Sequence, residues 1–132
     1  MIRKPDALHL DGGAGLFSGL MVWLFSEKVA TFHHWPPAFI QIHVVASLTY
    51  GLLALWLANQ TIRPLRLITA LACANVLWAT FCATAAWHFF PTLTWLGHLH
   101  LIFEATAIGA LALYELKNRH HLRLNLSPRS PR

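Results

Sequence analysis

The sequence predicts an all-α fold: an integral membrane four-helix up-down bundle with both termini in the cytoplasm. Three observations carry this. The composition is too apolar for water, four apolar runs approach membrane length, and all the Lys and Arg residues but Lys28 fall on alternate connections and ends. Of the 132 residues, 56% are hydrophobic and only 11% charged, against about 25% charged in ordinary soluble chains. Mean hydropathy is +0.49. A domain this small has too much surface for its volume to hide that quantity of apolar side chain from water. Lipid removes the difficulty.

A spanning helix needs about 20 apolar residues. The first run starts at about Gly12 and reaches Phe25, with an interfacial turn carrying it to Phe32, so the first helix is placed at about 12–32. The others are placed at about 39–58, 67–90 and 94–114, all within a domain covering 1–116. Arg3 and Lys4 ahead of the first run invite comparison with a signal peptide, but Asp6 and Asp11 interrupt its approach. Glu27 and Lys28 stand where small residues would mark cleavage, so the segment reads as a retained span. Trp35-Pro36-Pro37 and Pro64 punctuate the next two starts, and Thr92 or Thr94 offers an N-cap for the last. Connections this short place successive helices antiparallel.

Orientation follows from Lys and Arg. Arg3, Lys4, Arg63, Arg66 and the stretch after Lys117 lie on one side, and Lys28 alone lies on the other. The positive-inside rule assigns the first side to the cytoplasm. The basic tail 117–132 reads as a disordered segment touching anionic lipid headgroups. Its charge does not form the stripe of a nucleic-acid binder, so the net +5 does not point to nucleic acid.

In lipid, helices pack through small residues and hydrogen-bonding side chains. Gly12, Gly15 and Gly19 mark such a face on the first helix. His43, Ser47, Tyr50 and Ala54 mark the second, Ala72, Asn75, Ala79, Cys82 and Ala86 the third, and Ala105, Gly109 and Ala112 the fourth. Cys73 and Cys82 form no CxxC and read as apolar filler. Gly12-Gly13-Ala14-Gly15 follows no strand and is no phosphate cradle, and no catalytic triad or nucleotide fingerprint is present.

At 1.5 Å per residue, Tyr50, Asn75 and Glu104 lie roughly 16, 12 and 15 Å into their segments, near the bilayer midplane. A carboxylate there must face the interior, be paired or hold its proton. Glu104, with His100 one turn before it and Asn75 and Tyr50 as donors, is therefore the candidate ligand- or proton-binding group. Six of the nine histidines, His33, His34, His43, His88, His98 and His100, gather near the outer end. Imidazole is a common ligand of transition metals and haem iron, although no HxxxH or HExxH fixes a geometry. His98 and His100, two positions apart, point to different faces of a helix.

Asp11-Gly12-x-x-Gly15, Asn75-x-x-Trp78 and Gly97 followed by Glu104-Ala105 resemble features of small bacterial four-helix inner-membrane proteins of the DoxX-like group. The resemblance covers about 8–117 and implies a bacterial plasma-membrane location without an assigned activity. The chain is also similar in size to the small multidrug exporters. Their working Glu lies in the first helix, whereas this chain has Glu104 in the fourth. The expected function is thus a non-enzymatic accessory or small-ligand-binding membrane component, alone, as a homo-oligomer or within a larger membrane complex, with no cofactor. One alternative is a redox protein holding haem or a transition metal through the outer histidines. Another is a proton-coupled transporter acting as a dimer through Glu104.

Overall fold

A computed structural model describes residues 6–124, so the chain ends carrying Arg3, Lys4, Arg129 and Arg132 lie outside the described residues. Five helices follow in order: α1 (Ala7–Leu24), α2 (Ser26–His33), α3 (Pro37–Ala58), α4 (Leu65–His88) and α5 (Trp95–Leu122). No strand occurs among the described residues; the nearest thing is a single antiparallel bridge between Ile62 and Leu124. α3, α4 and α5 are each long and apolar enough to cross a membrane. α1 and α2 together make a fourth such length, but bent by 85°.

Local chemistry sets these boundaries. Asp6 caps α1 by accepting from the backbone N–H groups of Leu8 and His9, and the His9 ring reaches back to the Asp6 backbone N–H. That reciprocal cap starts the helix at Ala7 instead of the expected Gly12. Asp11, which the sequence places at the edge of the first helix, is consequently inside it and buried. The first helix, expected as one element over about 12–32, is instead broken after Phe25 by the 85° bend, and the short second helix is ended by His34 in the left-handed region with φ 56°. Pro37 opens α3, and Thr94 caps α5 by accepting from Gly97 N–H at 3.2 Å. α5 continues to Leu122, past the expected end at Tyr114, so residues 117–122 are helical and not part of a disordered tail. Residues 125–132 of that tail lie outside the described residues.

Packing divides the chain into two intimate helix pairs, α1 against α3 and α4 against α5. The first pair is close because glycine faces glycine. A Cβ on Gly51 would lie 2.6 Å from the Leu16 backbone nitrogen and 2.9 Å from the Gly12 carbonyl oxygen, so no larger residue fits there. Between the pairs, backbone approaches are few, and side chains fill the gap. Val22, Trp35, Phe39, Cys82 and Leu101 pack at the end remote from the termini, while Leu8, Leu57, Ala58, Ile68 and Leu122 pack at the terminal end. Large apolar side chains such as Trp23, Trp56, Leu77, Trp87, Phe103 and Leu113 point outward. Exposed apolar surface of that extent is compatible with a lipid surrounding.

The terminal end is closed by one buried cation. Arg63 is fully buried, donating from its guanidinium to Asp6, to the Leu122 carbonyl at 3.2 Å and to the Ala58 carbonyl. Its backbone N–H also donates to the Arg123 carbonyl at 2.8 Å. A residue read from the sequence as a topology signal thus also fastens α1, α3 and α5 together. Burial alone would push the Asp6 carboxyl up, but hydrogen bonds from Arg63 and His9 and the Arg63 charge outweigh it and hold Asp6 below its ordinary value.

Candidate metal centre

The polar groups between the helix pairs fall into two storeys. The upper storey is built on four helices. His43 of α3 is fully buried and places Nε2 2.9 Å from both oxygens of Glu104 on α5. Trp78 of α4 donates its indole N–H to the same carboxylate at 2.9 Å. His100, one turn before Glu104 on α5, presents Nε2 at 3.6 Å. Its other nitrogen, Nδ1, lies 3.1 Å from His33 Nε2 at the end of α2. Ser47, one turn after His43, approaches the His43 Nδ1 at 3.5 Å.

The position of α2 makes this possible. Thr94 ties the two segments through its backbone N–H to the His33 carbonyl at 3.3 Å and its hydroxyl to the Phe32 carbonyl. Gly97 lets the chains touch: a Cβ there would lie 2.4 Å from the His33 carbonyl oxygen. The 85° bend therefore returns His33 over the bundle, above His100. Trp35, 2% exposed, then lies against the three imidazoles, with ring centroids 5.2 Å from His33, 5.4 Å from His43 and 4.8 Å from His100.

One ligand atom each from His43, His100 and Glu104 lies within 4.8 Å of the other two. Tetrahedral donors about 2.0–2.1 Å from a metal ion stand about 3.3 Å apart. The Glu104 contacts to His43 at 2.9 Å and to His100 at 3.6 Å straddle that spacing. The remaining nitrogens are already engaged by Ser47 and His33, as ligating imidazoles require of their second nitrogen. The His43 and His100 nitrogens converge on a carboxylate, with Trp78 and Trp35 as walls. That shape suits an ion better than a flat macrocycle.

The lower storey holds different chemistry. Asp11 of α1 accepts from the Tyr50 hydroxyl of α3 and from the Asn75 amide of α4 at 2.9 Å. Asn75 also donates to the Tyr50 oxygen at 2.7 Å. Glu115 of α5, fully buried, brings its carboxyl against that of Asp11. Tyr50 and Asn75, expected as donors to Glu104, thus serve Asp11. The partners of Glu104 are His43, Trp78 and His100.

Among the remaining expected site residues, His34, His88 and His98 do not join the cluster. His34 and His88 are exposed, with His88 edge-on to Phe89 at 4.9 Å. His98 donates Nδ1–H to the Thr94 carbonyl at 3.2 Å and packs on Phe90. Gly15 and Gly19 face α3, Gly109 stands 3.7 Å from the Ala79 Cβ, and Ala72 is buried. Trp78 and Asp11, which the sequence offers only as parts of a resemblance, and Glu115 are not expected as site residues. Trp78 lies three residues from Asn75, and Glu115 eleven residues, about three turns, from Glu104 on one face. Comparison with family models, with curated proteins and with solved structures finds no significant match.

Proposed function

We propose that this chain is a multi-pass membrane protein that binds one divalent first-row transition metal ion, such as zinc, in its interior. His43, His100 and Glu104 are the ligands. The observation that carries this is the convergence of three ligand atoms from two helix pairs within 4.8 Å. Imidazole with one carboxylate is a donor set for zinc, iron and their neighbours, and it leaves a coordination position open. His33 and Ser47 orient the imidazoles, Trp78 orients the carboxylate, and Trp35 covers the site. The small-ligand-binding expectation is thereby narrowed to an ion.

In this reading the four membrane-length segments form a bundle whose terminal end, rich in Lys and Arg, faces the cytoplasm. The site then lies toward the opposite face of the membrane, beneath Trp35. Cobalt(II) titration of the protein in lipid nanodiscs tests the metal reading. Wild type and His88→Ala should develop visible d–d absorption saturating at one equivalent, while His43→Ala and Glu104→Gln should not. Equal cobalt spectra in wild type and His43→Ala would overturn the assignment.

A further inference from the structure

The lower storey carries an assignment of its own. Among the described residues, the Tyr50 hydroxyl and the Asn75 amide both donate to the same Asp11 oxygen, Oδ2. Glu115 is treated oppositely. It is fully buried, and no N–H or O–H of the described residues reaches either of its oxygens. It lies against Asp11 and also interacts with the more distant Asp6. Tyr50 faces the pair from α3, and α4 contributes only the neutral Asn75. The buried Arg63 is committed to Asp6 and to main-chain carbonyls.

Two facing carboxylates with no cation of the described residues between them repel strongly in a low dielectric. One of them must be neutral, and the donor pattern says which. A carboxylate that accepts two hydrogen bonds keeps its charge at low cost, whereas one that accepts none does not. We propose that Asp11 and Glu115 form an acid pair that binds a single exchangeable proton, carried on Glu115 and donated in a hydrogen bond to Asp11. The pair is a proton-binding site separate from the ligands of the upper storey. Tyr50 and Asn75 position it by fixing the charge on Asp11. Binding and release involve only the O–H bond of Glu115, with no other bond made or broken.

The acid pair stands whether or not a metal occupies the upper storey, and its test uses metal-free protein. Infrared spectra of the full chain in lipid at neutral pH should show a protonated-carboxyl C=O stretch that shifts in D₂O. Glu115→Gln should abolish this band, and Glu104→Gln should leave it in place. Asp11→Asn should keep the band but move it, because the acceptor changes from a carboxylate to an amide. Helical circular dichroism checks that each variant is folded, and the Asp11→Asn shift serves should Glu115→Gln fail to fold. A wild-type spectrum without the band would mean two ionised carboxylates held by a bound cation, and would overturn the proposal. So would a band that survives Glu115→Gln, disappears in Glu104→Gln, or stays unmoved in Asp11→Asn. Retained cobalt binding by Glu115→Gln would keep the metal reading intact in each of these cases.

Discussion

The two storeys place a carboxyl on the same face of α5, yet treat it in opposite ways. Glu104 is surrounded by groups that favour a carboxylate: an indole N–H and two imidazoles, from α4, α3 and α5 itself. Glu115, about three turns later, meets another carboxyl and no donor among the described residues. One helix thus offers a nitrogen-rich site suited to a cation and an oxygen-only site suited to a proton. The difference arises from the neighbours. Near the bend, α2, α3 and Trp35 bring imidazoles together, whereas the capped start of α1 brings in Asp11. A buried carboxyl alone therefore says little about its role. The donors aimed at it decide.

The same substitution in both storeys should separate them most clearly. Glu104→Met strands the His43 Nε2 and the Trp78 indole N–H in the interior, and should cost on the order of 3 kcal/mol. Glu115→Met removes a group without donors, leaves Asp11 bonded to Tyr50 and Asn75, and should change stability by less than about 1 kcal/mol. Reversible unfolding in mixed micelles measures both, and equal losses would erase the contrast. The next effect is steric. Gly97→Ala drives a Cβ into the His33 carbonyl and should cost about 2 kcal/mol by thermal unfolding. Gly109→Ala, whose Cβ meets Ala79 at an ordinary 3.7 Å, should be neutral or gain up to about 1 kcal/mol. A harmless Gly97→Ala would mean that α2 is not held against α5.

Tyr50→Phe removes one donor from Asp11 and should cost about 1 kcal/mol while leaving metal stoichiometry unchanged. A loss of metal in that variant would show the storeys to be one site. The smallest effect lies at the terminal end. Because the folded value of Asp6 is lowered, its contribution is fully present above the ordinary carboxylate value of 3.8 and lost as pH falls through the folded value. Asp6→Asn should lower stability near neutrality, where that contribution is fully present, and flatten the acid limb of the profile, as a pH series of unfolding measurements would show.

The helical class and the membrane-length segments were legible because they depend on composition and run length, which survive any packing arrangement. The small-residue faces were legible for the same reason: Gly12, Ala72 and Ala112 lie on periodic stripes, and the structure buries all three. The site was legible only in part. Glu104 stood out as a charge in an apolar run, and His100 as its neighbour one turn away. Asp11 was hidden because hydropathy starts the first helix after it, whereas the Asp6–His9 cap starts it before. Glu115 was hidden because the apolar run ends at Tyr114 while the helix does not. Which outer histidines converge depended on the 85° bend. That bend is a tertiary event with no periodic signal: it selects His33 and leaves His34 outside.

X-ray absorption at the zinc edge, on the full chain in nanodiscs loaded with one equivalent of zinc, reads the upper storey most directly. The first shell should contain only nitrogen and oxygen at about 2.0–2.1 Å, with outer-shell scattering from two imidazoles that falls to one in His100→Ala. A sulfur shell, or a zinc ion surrounded by water without imidazole scattering, would contradict a centre made by His43, His100 and Glu104.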